Sequence, residues 1–236
     1  MAEVTAYADL DCNLRELAPN TNYPGGVAGF EYWGMETKAE EADVCMKIDF
    51  SAEVPSDATI NVGHLCIYLV HVGNIAPTGL YWRISRCLQA WVYNQATFNI
   101  YSTGNNWASP GARGAADYTA TDQIVLDAEA PDLDVRTLWE FDATALVVDA
   151  QANRSQIFSV VFHGPTTLVS EGDICYYAID SFVHTDPDYR PYLWIDYTPA
   201  GGGVISKISG VEWASVKQVS GVAEASISKA SGVQAN

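Results

Sequence analysis

Short segments of alternating apolar and polar residues, separated by turn-forming clusters, fill most of this 236-residue chain. In one of them Val44, Met46, Ile48 and Phe50 alternate with polar or small residues, a period of two that is typical of a strand with one buried face. The pattern returns at 60–72, 156–163, 174–183 and 192–197. Only 137–150 has the character of a short helix. The pattern predicts an all-β protein, an antiparallel jelly-roll β-sandwich.

The C-terminal part repeats one short unit three times. Segments 205–211, 216–222 and 227–233 recur every 11 residues and each ends in Ser-Gly-Val, after a Gly-Gly-Gly at 201–203. A unit this short must stack on other copies or other chains to bury its apolar side. We therefore divide the chain into a body (1–199), a glycine-rich linker (200–203) and a repeat segment (204–236) for anchoring or oligomerisation.

The apolar residues of the repeats are the candidates for that anchoring. A glycine inside every repeat argues against a helix, because glycine disfavours helix interiors and β-branched residues flank it. The sequence instead predicts a β-repeat extension, a β-coil or a series of tight hairpins that turn at Ser-Gly. The candidate residues are Ile205, Ile208, Val211, Val216, Val219, Val222, Ile227 and Val233.

Charge and cysteine usage restrict the function classes. The formal net charge is −17 at pH 7; three of the 12 basic and two of the 29 acidic residues lie in the repeat segment, so the body carries −18 and the repeats +1. So acidic a body repels nucleic acid and anionic membranes. Five scattered cysteines without a CxxC pair predict reduced thiols rather than a disulfide framework. With no apparent signal peptide or membrane span, we expect synthesis and assembly in a cytoplasm.

One hexapeptide near the N-terminus carries a family resemblance. Asp11, Cys12, Asn13, Leu14, Arg15 and Glu16, followed by Asn20-Thr21-Asn22-Tyr23, resemble the signature of the DNRLRE domain, with Cys12 and Asn13 where the family has Asn and Arg. Further markers follow in family order over residues 6–198. They are Lys47-Ile-Asp-Phe50, Ala96-Thr-Phe-Asn99, Thr103-Gly104, Trp107, Phe141-Asp-Ala-Thr144 and Arg190-Pro-Tyr-Leu193.

The resemblance implies a jelly roll related to carbohydrate-binding modules. Such domains occur in bacterial surface proteins, polysaccharide-degrading enzymes and phage structural proteins, and the Ser-Gly-Val repeats are similar to those on phage virion proteins. Within the motif we expect a structural role for Asp11, Asn13, Leu14, Arg15 and Glu16, with Arg15 paired to a carboxylate such as Asp11 or Glu16.

Aromatic residues divide between core and surface. Trp91, Trp107 and Trp194 coincide with family markers and are predicted to lie in the core, since large aromatics supply much of a sandwich core. Tyr81 and Trp82, next to a Pro-Thr-Gly turn signal, are the candidates for an exposed pair that contacts glycan.

Catalytic and metal sites find little support in the sequence. His64 and His71 are predicted on opposite faces of one strand, and no metalloprotease, nucleophile-elbow or phosphate-loop motif is present. Asp122, Asp127, Asp132 and Asp134 offer oxygen ligands for calcium, but their spacing favours solvated loop charges. We expect no enzyme, no cofactor and no bound metal.

The combined pattern predicts a non-enzymatic virion structural protein on the outside of a phage particle: a capsid decoration, a head fibre or a tail-associated adhesion protein. Expected partners are other capsid or tail proteins and the chain itself, first as a homotrimer, with host surface glycan as a further contact. The virion, assembled in the host cytoplasm, is the expected location. The alternative is a carbohydrate-binding module of a bacterial surface protein or a polysaccharide-degrading enzyme.

Overall fold

The computed structural model describes residues 1–25, 32–36, 42–73, 81–127, 137–164 and 176–200, and in the repeats 205–208, 211–212, 218–219, 222–223 and 234–235. Only the backbone is described at 32–36, 69–73, 81–82, 126–127 and 176–178 and throughout the repeats. The strands of the body are β1 (Ala2–Tyr7), β2 (Leu10–Arg15), β3 (Tyr23–Pro24), β4 (Tyr32–Glu36), β5 (Ala42–Asp49), β6 (Thr59–Gly73), β7 (Tyr81–Cys87), β8 (Ile100–Ser102), β9 (Asn105–Asn106), β10 (Tyr118–Asp127), β11 (Thr137–Asp142), β12 (Ile157–His163), β13 (Tyr176–Asp180) and β14 (Tyr192–Thr198). One α-helix, α1 (Thr144–Asn153), lies between β11 and β12.

Two six-stranded antiparallel sheets form the body. The first sheet has the order β1-β14-β6-β13-β4, and β11 pairs with the opposite edge of the long β6. The second sheet has the order β10-β7-β12-β5-β2-β3. This arrangement confirms the predicted all-β antiparallel sandwich.

The main core lies between the two sheets. Alternation places Val44, Met46 and Ile48 of β5 on the inner face of the second sheet, together with Phe158, Val160 and Phe162 of β12. The first sheet contributes Leu65 and Ile67 of β6 and Leu193 and Ile195 of β14. Each of these side chains is almost completely buried, so their combined apolar area supplies the main driving force for folding.

The second sheet is buried on its outer face as well. The chain between β7 and β10, residues 88–117, which we call the covering segment, packs Trp91, Phe98 and Trp107 on that face. Beneath them lie Cys12 and Leu14 of β2, Cys45 of β5, Cys87 of β7 and Val161 of β12. The prediction of a half-buried β5 is therefore wrong: Cys45 is completely buried because this long connection covers it.

Buried acids hold the covering segment in place. The Asp117 carboxylate accepts hydrogen bonds from the backbone N–H groups of Ala108, Ser109 and Gly114 at 2.8–3.0 Å. The Asp43 carboxylate of β5 accepts from Nε and Nη2 of Arg113 at 2.6 and 2.8 Å. Gly111 is constrained by this pair, since it has φ +74° and a Cβ there would lie 2.8 Å from Asp43 Oδ2. Two carboxylates thus fix both the shape and the position of the segment.

Helix α1 packs against β6 through a glycine. The Ala143 N–H donates to the Gly63 carbonyl at 2.8 Å, and the Gly63 N–H donates to Thr144 Oγ1 at 3.0 Å. A Cβ at Gly63 would lie 2.8 Å from Val147 Cγ2. The close approach places Leu146, Val147 and Ala150 in the main core.

The single predicted helical segment is partly wrong. Residues 137–142 form β11, in which Trp139 and Phe141 pack toward the core and Leu138, Glu140 and Asp142 share the other face. The helix begins only at Thr144. Side chains of residues 138–142 alternate between the two faces of a strand. Pairing with β6 makes this segment a strand rather than part of the helix.

His163 is buried against the covering segment and is expected to make the stability of the fold depend on pH. Its Nε2 lies 3.1 Å from the Ala112 carbonyl oxygen, and its ring stacks edge-on against Tyr118. Burial lowers the pKa of His163 below 6.5, and Arg113 adds to the shift. Asp43, the hydrogen bond to Ala112 and Asp117 oppose it. The native imidazole therefore stays neutral where an unfolded histidine takes up a proton.

We expect the free energy of unfolding to fall as the pH drops below about 6.5, by up to about 1.4 kcal/mol per pH unit until the native imidazole also titrates. His163→Gln should flatten this part of the curve. Urea unfolding of both proteins between pH 7.5 and 5 measures the two slopes. Equal slopes would show that His163 does not carry the effect.

Candidate functional site

The repeat segment pairs its strands as hairpins. β15 (Ile205–Ile208) and β16 (Val211–Glu212) are antiparallel, with Ile208 opposite Val211. β17 (Gln218–Val219) and β18 (Val222–Ala223) repeat the arrangement, with Val219 opposite Val222. In both cases Ser-Gly is the sequence between the paired ends, in agreement with the hairpin prediction.

A last strand, β19 (Gln234–Ala235), pairs with β15, so that β16-β15-β19 form a small sheet. Among the described strands, those of the repeats pair with one another and not with the sheets of the body. Hairpins of two to four residues per strand are marginal in isolation. Of the predicted anchoring residues, Val216, Ile227 and Val233 lie outside the described residues.

The outer face of the first sheet carries aromatic side chains in ordered rows, and we call it the aromatic face. In one row the strand register aligns Asp142, His64, Trp194 and Thr5 across β11, β6, β14 and β1. The next row aligns Glu140, Cys66, Tyr192 and Tyr7. Neighbouring strands lie about 4.8 Å apart and successive rows about 7 Å apart. The face therefore presents a compact lattice of rings bordered by carboxylates.

Ring contacts fix this lattice. The His64 and Trp194 rings are 5.5 Å apart between centroids and tilted by 49°, and the Tyr7 and Tyr192 rings are 5.8 Å apart and tilted by 55°. His64, Cys66, Glu140, Tyr192 and Trp194 surround an open depression of about 300 Å³. Tyr7, on the edge strand β1, is 45% exposed, whereas His64, Tyr192 and Trp194 are half-buried. The rings are thus held by neighbours and still reach solvent.

Two polar groups in the face have shifted pKa values. Burial, together with the hydrogen bond to Cys66, raises the pKa of the Tyr192 hydroxyl, which therefore stays protonated. Hydrogen bonds from the Thr144 backbone and side chain lower the pKa of Asp142, which therefore stays a carboxylate. The face offers a permanent hydroxyl and a permanent acceptor at neutral pH.

A second depression adjoins the first across Glu140. It has a volume of about 630 Å³ and lies between β11 with the start of α1 and the edge strand β10. Ile124, Phe141 and Leu146 supply apolar walls. The polar part of the lining comes from Asp122, Gln123, Glu140, Asp142 and Thr144. The two depressions share one lining residue, Glu140.

Trp194 occupies a different place from the predicted one. The prediction of a core position is confirmed for Trp91 and Trp107, which are 1% and 4% exposed. Trp194 instead points outward, because it alternates with the buried Leu193 and Ile195. The alternation in residues 192–197 was the signal that would have found it.

The glycan contacts predicted from sequence lie on a strand of the second sheet. Tyr81 and Trp82 begin β7, but their side chains lie outside the described residues. His64 reaches the aromatic face, and the side chain of His71 lies outside the described residues. Sequence reasoning missed the aromatic face because its rings come from three strands that are distant in the chain.

The residues of the hexapeptide make contacts within the fold. The buried Asp11 carboxylate accepts hydrogen bonds from Ser181 Oγ at 2.9 Å and from the Phe182 N–H at 2.8 Å, which ties β2 to the chain after β13. Leu14 is completely buried beneath the covering segment, and Asn13 is 2% exposed. The Arg15 guanidinium lies 5.5 Å from the centroid of the Tyr23 ring. Glu16 directly follows β2.

Three thiols meet beneath the covering segment. Cys12 lies opposite Cys45 in the register of β2 and β5, and the Cys45 thiol hydrogen-bonds with those of Cys12 and Cys87. Burial and these bonds raise the pKa of Cys45. All three, and Cys66, are free thiols. Cys175 lies outside the described residues.

Within the described part of the chain, no group of three or more His, Cys, Asp or Glu side chains is placed to hold a metal ion. Of the four aspartates weighed for calcium, Asp122 is exposed with φ +57°. Only the backbone of Asp127 is described, and Asp132 and Asp134 lie outside the described residues. The helix that the described residues contain is too short and too polar to cross a membrane.

Comparison with known proteins adds no family: no family model matches the chain, and no curated protein matches it. The resemblance to the DNRLRE domain therefore stays a prediction that rests on the sequence motifs alone.

Proposed function

We propose that this chain is a non-enzymatic structural protein on the outside of a phage particle, as a capsid decoration, a head fibre or a tail-associated adhesion protein. The pairing of the repeats with one another carries the proposal. Strands this short gain stability only when further polypeptide covers them. Neighbouring copies or other virion proteins supply that cover, and a homotrimer is the first expectation.

The body has the properties of a displayed domain. It has two sheets, a continuous main core and a second buried cluster, each formed by residues of the body. Its charge of −18 keeps it soluble at high local density and repels the packaged nucleic acid. These properties favour the outer surface of a particle over its interior.

The buried acids support a structural role rather than catalysis. Asp11 and Asp43 accept hydrogen bonds that join separate parts of the chain, and Asp117 accepts hydrogen bonds within the covering segment. A general acid or base instead needs access to a substrate. The free thiols agree with folding and assembly in a reducing cytoplasm.

Replacing Val211, Val222 and Val233 together with Asp is expected to abolish self-association. Three carboxylates placed within the apolar side of the repeats cannot be buried without large cost. Light scattering after gel filtration measures the mass, and circular dichroism reports the folded sandwich. We expect an oligomer for the natural chain and a folded monomer for the triple variant.

Val125→Asp is the matched control, since Val125 is 53% exposed on β10 and should leave the mass unchanged. An unchanged mass in the triple variant would contradict the assembly role. In particles, removing 201–236 should prevent incorporation of the protein. Location on a bacterial cell surface, with no particle association, would support the carbohydrate-binding-module alternative.

A further inference from the structure

We infer that Cys12 and Cys45 are a disulfide site, which stays reduced in a reducing compartment and closes into a covalent bond between β2 and β5 in an oxidising one. The site lies under the covering segment, away from the aromatic face and from the repeats. Its chemistry does not depend on the proposed function. For a particle that assembles in a cytoplasm and is then released, the bond forms after assembly, and this timing alone rests on that function.

The strand register places the two cysteines directly opposite each other. β2 and β5 are antiparallel, and Cys12 is the partner of Cys45 in their ladder. Residues opposed in this way have Cα atoms about 4.5–5.5 Å apart, within the range of about 4.4–6.8 Å that disulfides span. Both side chains belong to the same buried cluster on the outer face of the sheet, where a hydrogen bond joins the two thiols. The bond therefore needs no movement of one strand relative to the other.

The same geometry excludes the other described thiols. β12 lies between β5 and β7 in the second sheet, so Cys45 and Cys87 belong to strands that are two spacings apart. Two spacings amount to about 9.6 Å between backbones, which is more than the roughly 7 Å between Cα atoms that a disulfide tolerates. Cys66 lies on β6 of the other sheet. Among the described cysteines, Cys12 and Cys45 are thus the pair that fits a disulfide.

The bond forms by two successive exchanges with a low-molecular-weight disulfide. One cysteine thiolate attacks a sulfur of this oxidant, which leaves a mixed disulfide on the protein and releases half of the oxidant as a thiolate. The second cysteine then attacks the sulfur of the first, closes the protein disulfide and releases the other half. The two cysteines together lose two electrons and two protons, and the oxidant takes them up as two thiols.

The covering segment controls access to the site. Cys12 and Cys45 are completely buried, and Trp91 packs in the cluster above them. An oxidant therefore reaches the thiols through local opening of this segment, so that the bond forms slowly in the native protein. Trp91→Ala weakens the cover and should speed formation of the bond about tenfold or more.

Closing the bond joins the ends of residues 12–45. This part of the chain contains β3 and β4, the edge strands of the second and the first sheet. Linking its ends lowers the conformational entropy of the unfolded chain. We expect the midpoint of urea unfolding to rise to a higher urea concentration on oxidation and to return on reduction.

The test is incubation of the folded full chain with oxidised glutathione, followed by blocking of free thiols and mass spectrometry of unreduced peptides. We expect one linked pair of peptides, which contain Cys12 and Cys45. Cys12→Ser and Cys45→Ser should each prevent this bond. Cys87→Ser is the matched control, since Cys87 is buried in the same cluster and its removal should leave the bond in place.

Two results would overturn the site itself: Cys12 and Cys45 that stay unlinked in both the natural chain and Trp91→Ala, or a link that joins either of them to another cysteine. Equal urea midpoints of the oxidised and reduced chains would overturn the stabilising role of the bond. The peptide map of the natural chain decides the pairing even where a serine variant does not fold. The triple variant of the repeats separates the two proposals, because it should lose self-association and still form the bond.

Discussion

Asp43→Ala is expected to lower the free energy of unfolding by about 3–5 kcal/mol, the usual cost of removing one partner of a buried ion pair. Asp43 is completely buried and the Arg113 side chain is only 12% exposed. The substitution leaves the guanidinium in the interior without this carboxylate, and it also removes the acceptor for the Gly164 N–H. Urea denaturation measures the loss.

Asp149→Ala is the matched control. Asp149 pairs with Arg86 and Arg154 at 2.6 and 2.8 Å, but the three side chains are 17–27% exposed and keep access to water. We expect a loss of about 1 kcal/mol there. Equal losses at Asp43 and Asp149 would contradict the role of the buried pair. Asp43→Leu combined with Arg113→Met should regain part of the stability, since it leaves no buried charge behind.

Trp91→Ala is expected to cost about 3–5 kcal/mol and to make the buried thiols reactive. Trp91 is 1% exposed, its Nε1 donates to Ser159 Oγ at 3.1 Å, and the Lys47 ammonium lies 4.2 Å from the ring centroid. Its removal leaves a large cavity in the cluster that contains Cys45. Local opening of the covering segment then needs less free energy, and thiol reagents reach Cys45 more often.

Trp194→Ala is the contrasting variant, because Trp194 lies half-buried on the aromatic face and outside both buried clusters. Its unfolding free energy and thiol reactivity should stay close to those of the natural chain. Unfolding curves and the rate of reaction with an aromatic disulfide reagent measure both properties. Slow thiol reaction in Trp91→Ala would show that this side chain does not shield the cluster.

The strands that sequence reasoning located well are those with alternation along a single chain segment. β5, β12 and β14 were found nearly to the residue, because a period of two fixes which side chains face the core and leaves little choice of register. β6 was found for the same reason. Such local patterns were enough for the all-β fold.

The features that sequence reasoning missed depend on distant segments. Cys45 is buried because residues 88–117 return over the second sheet, and no property of β5 alone encodes that cover. The aromatic face exists because register brings Tyr7, His64 and Trp194 into neighbouring positions from three separate strands. Pairing between distant strands is a property of the whole chain, and a single segment does not show it.

The position of β14 determines how the molecule responds to tension. β14 carries both Trp194 and Tyr192, ends at Thr198 and leads directly into the glycine-rich linker. A pull on the linker against the rest of the sandwich therefore acts along this strand. β1 and β6 pair with the two sides of that strand, so a pull along its axis must shear two ladders of hydrogen bonds at once. The strand that exposes the rings is therefore also the strand that best resists mechanical load.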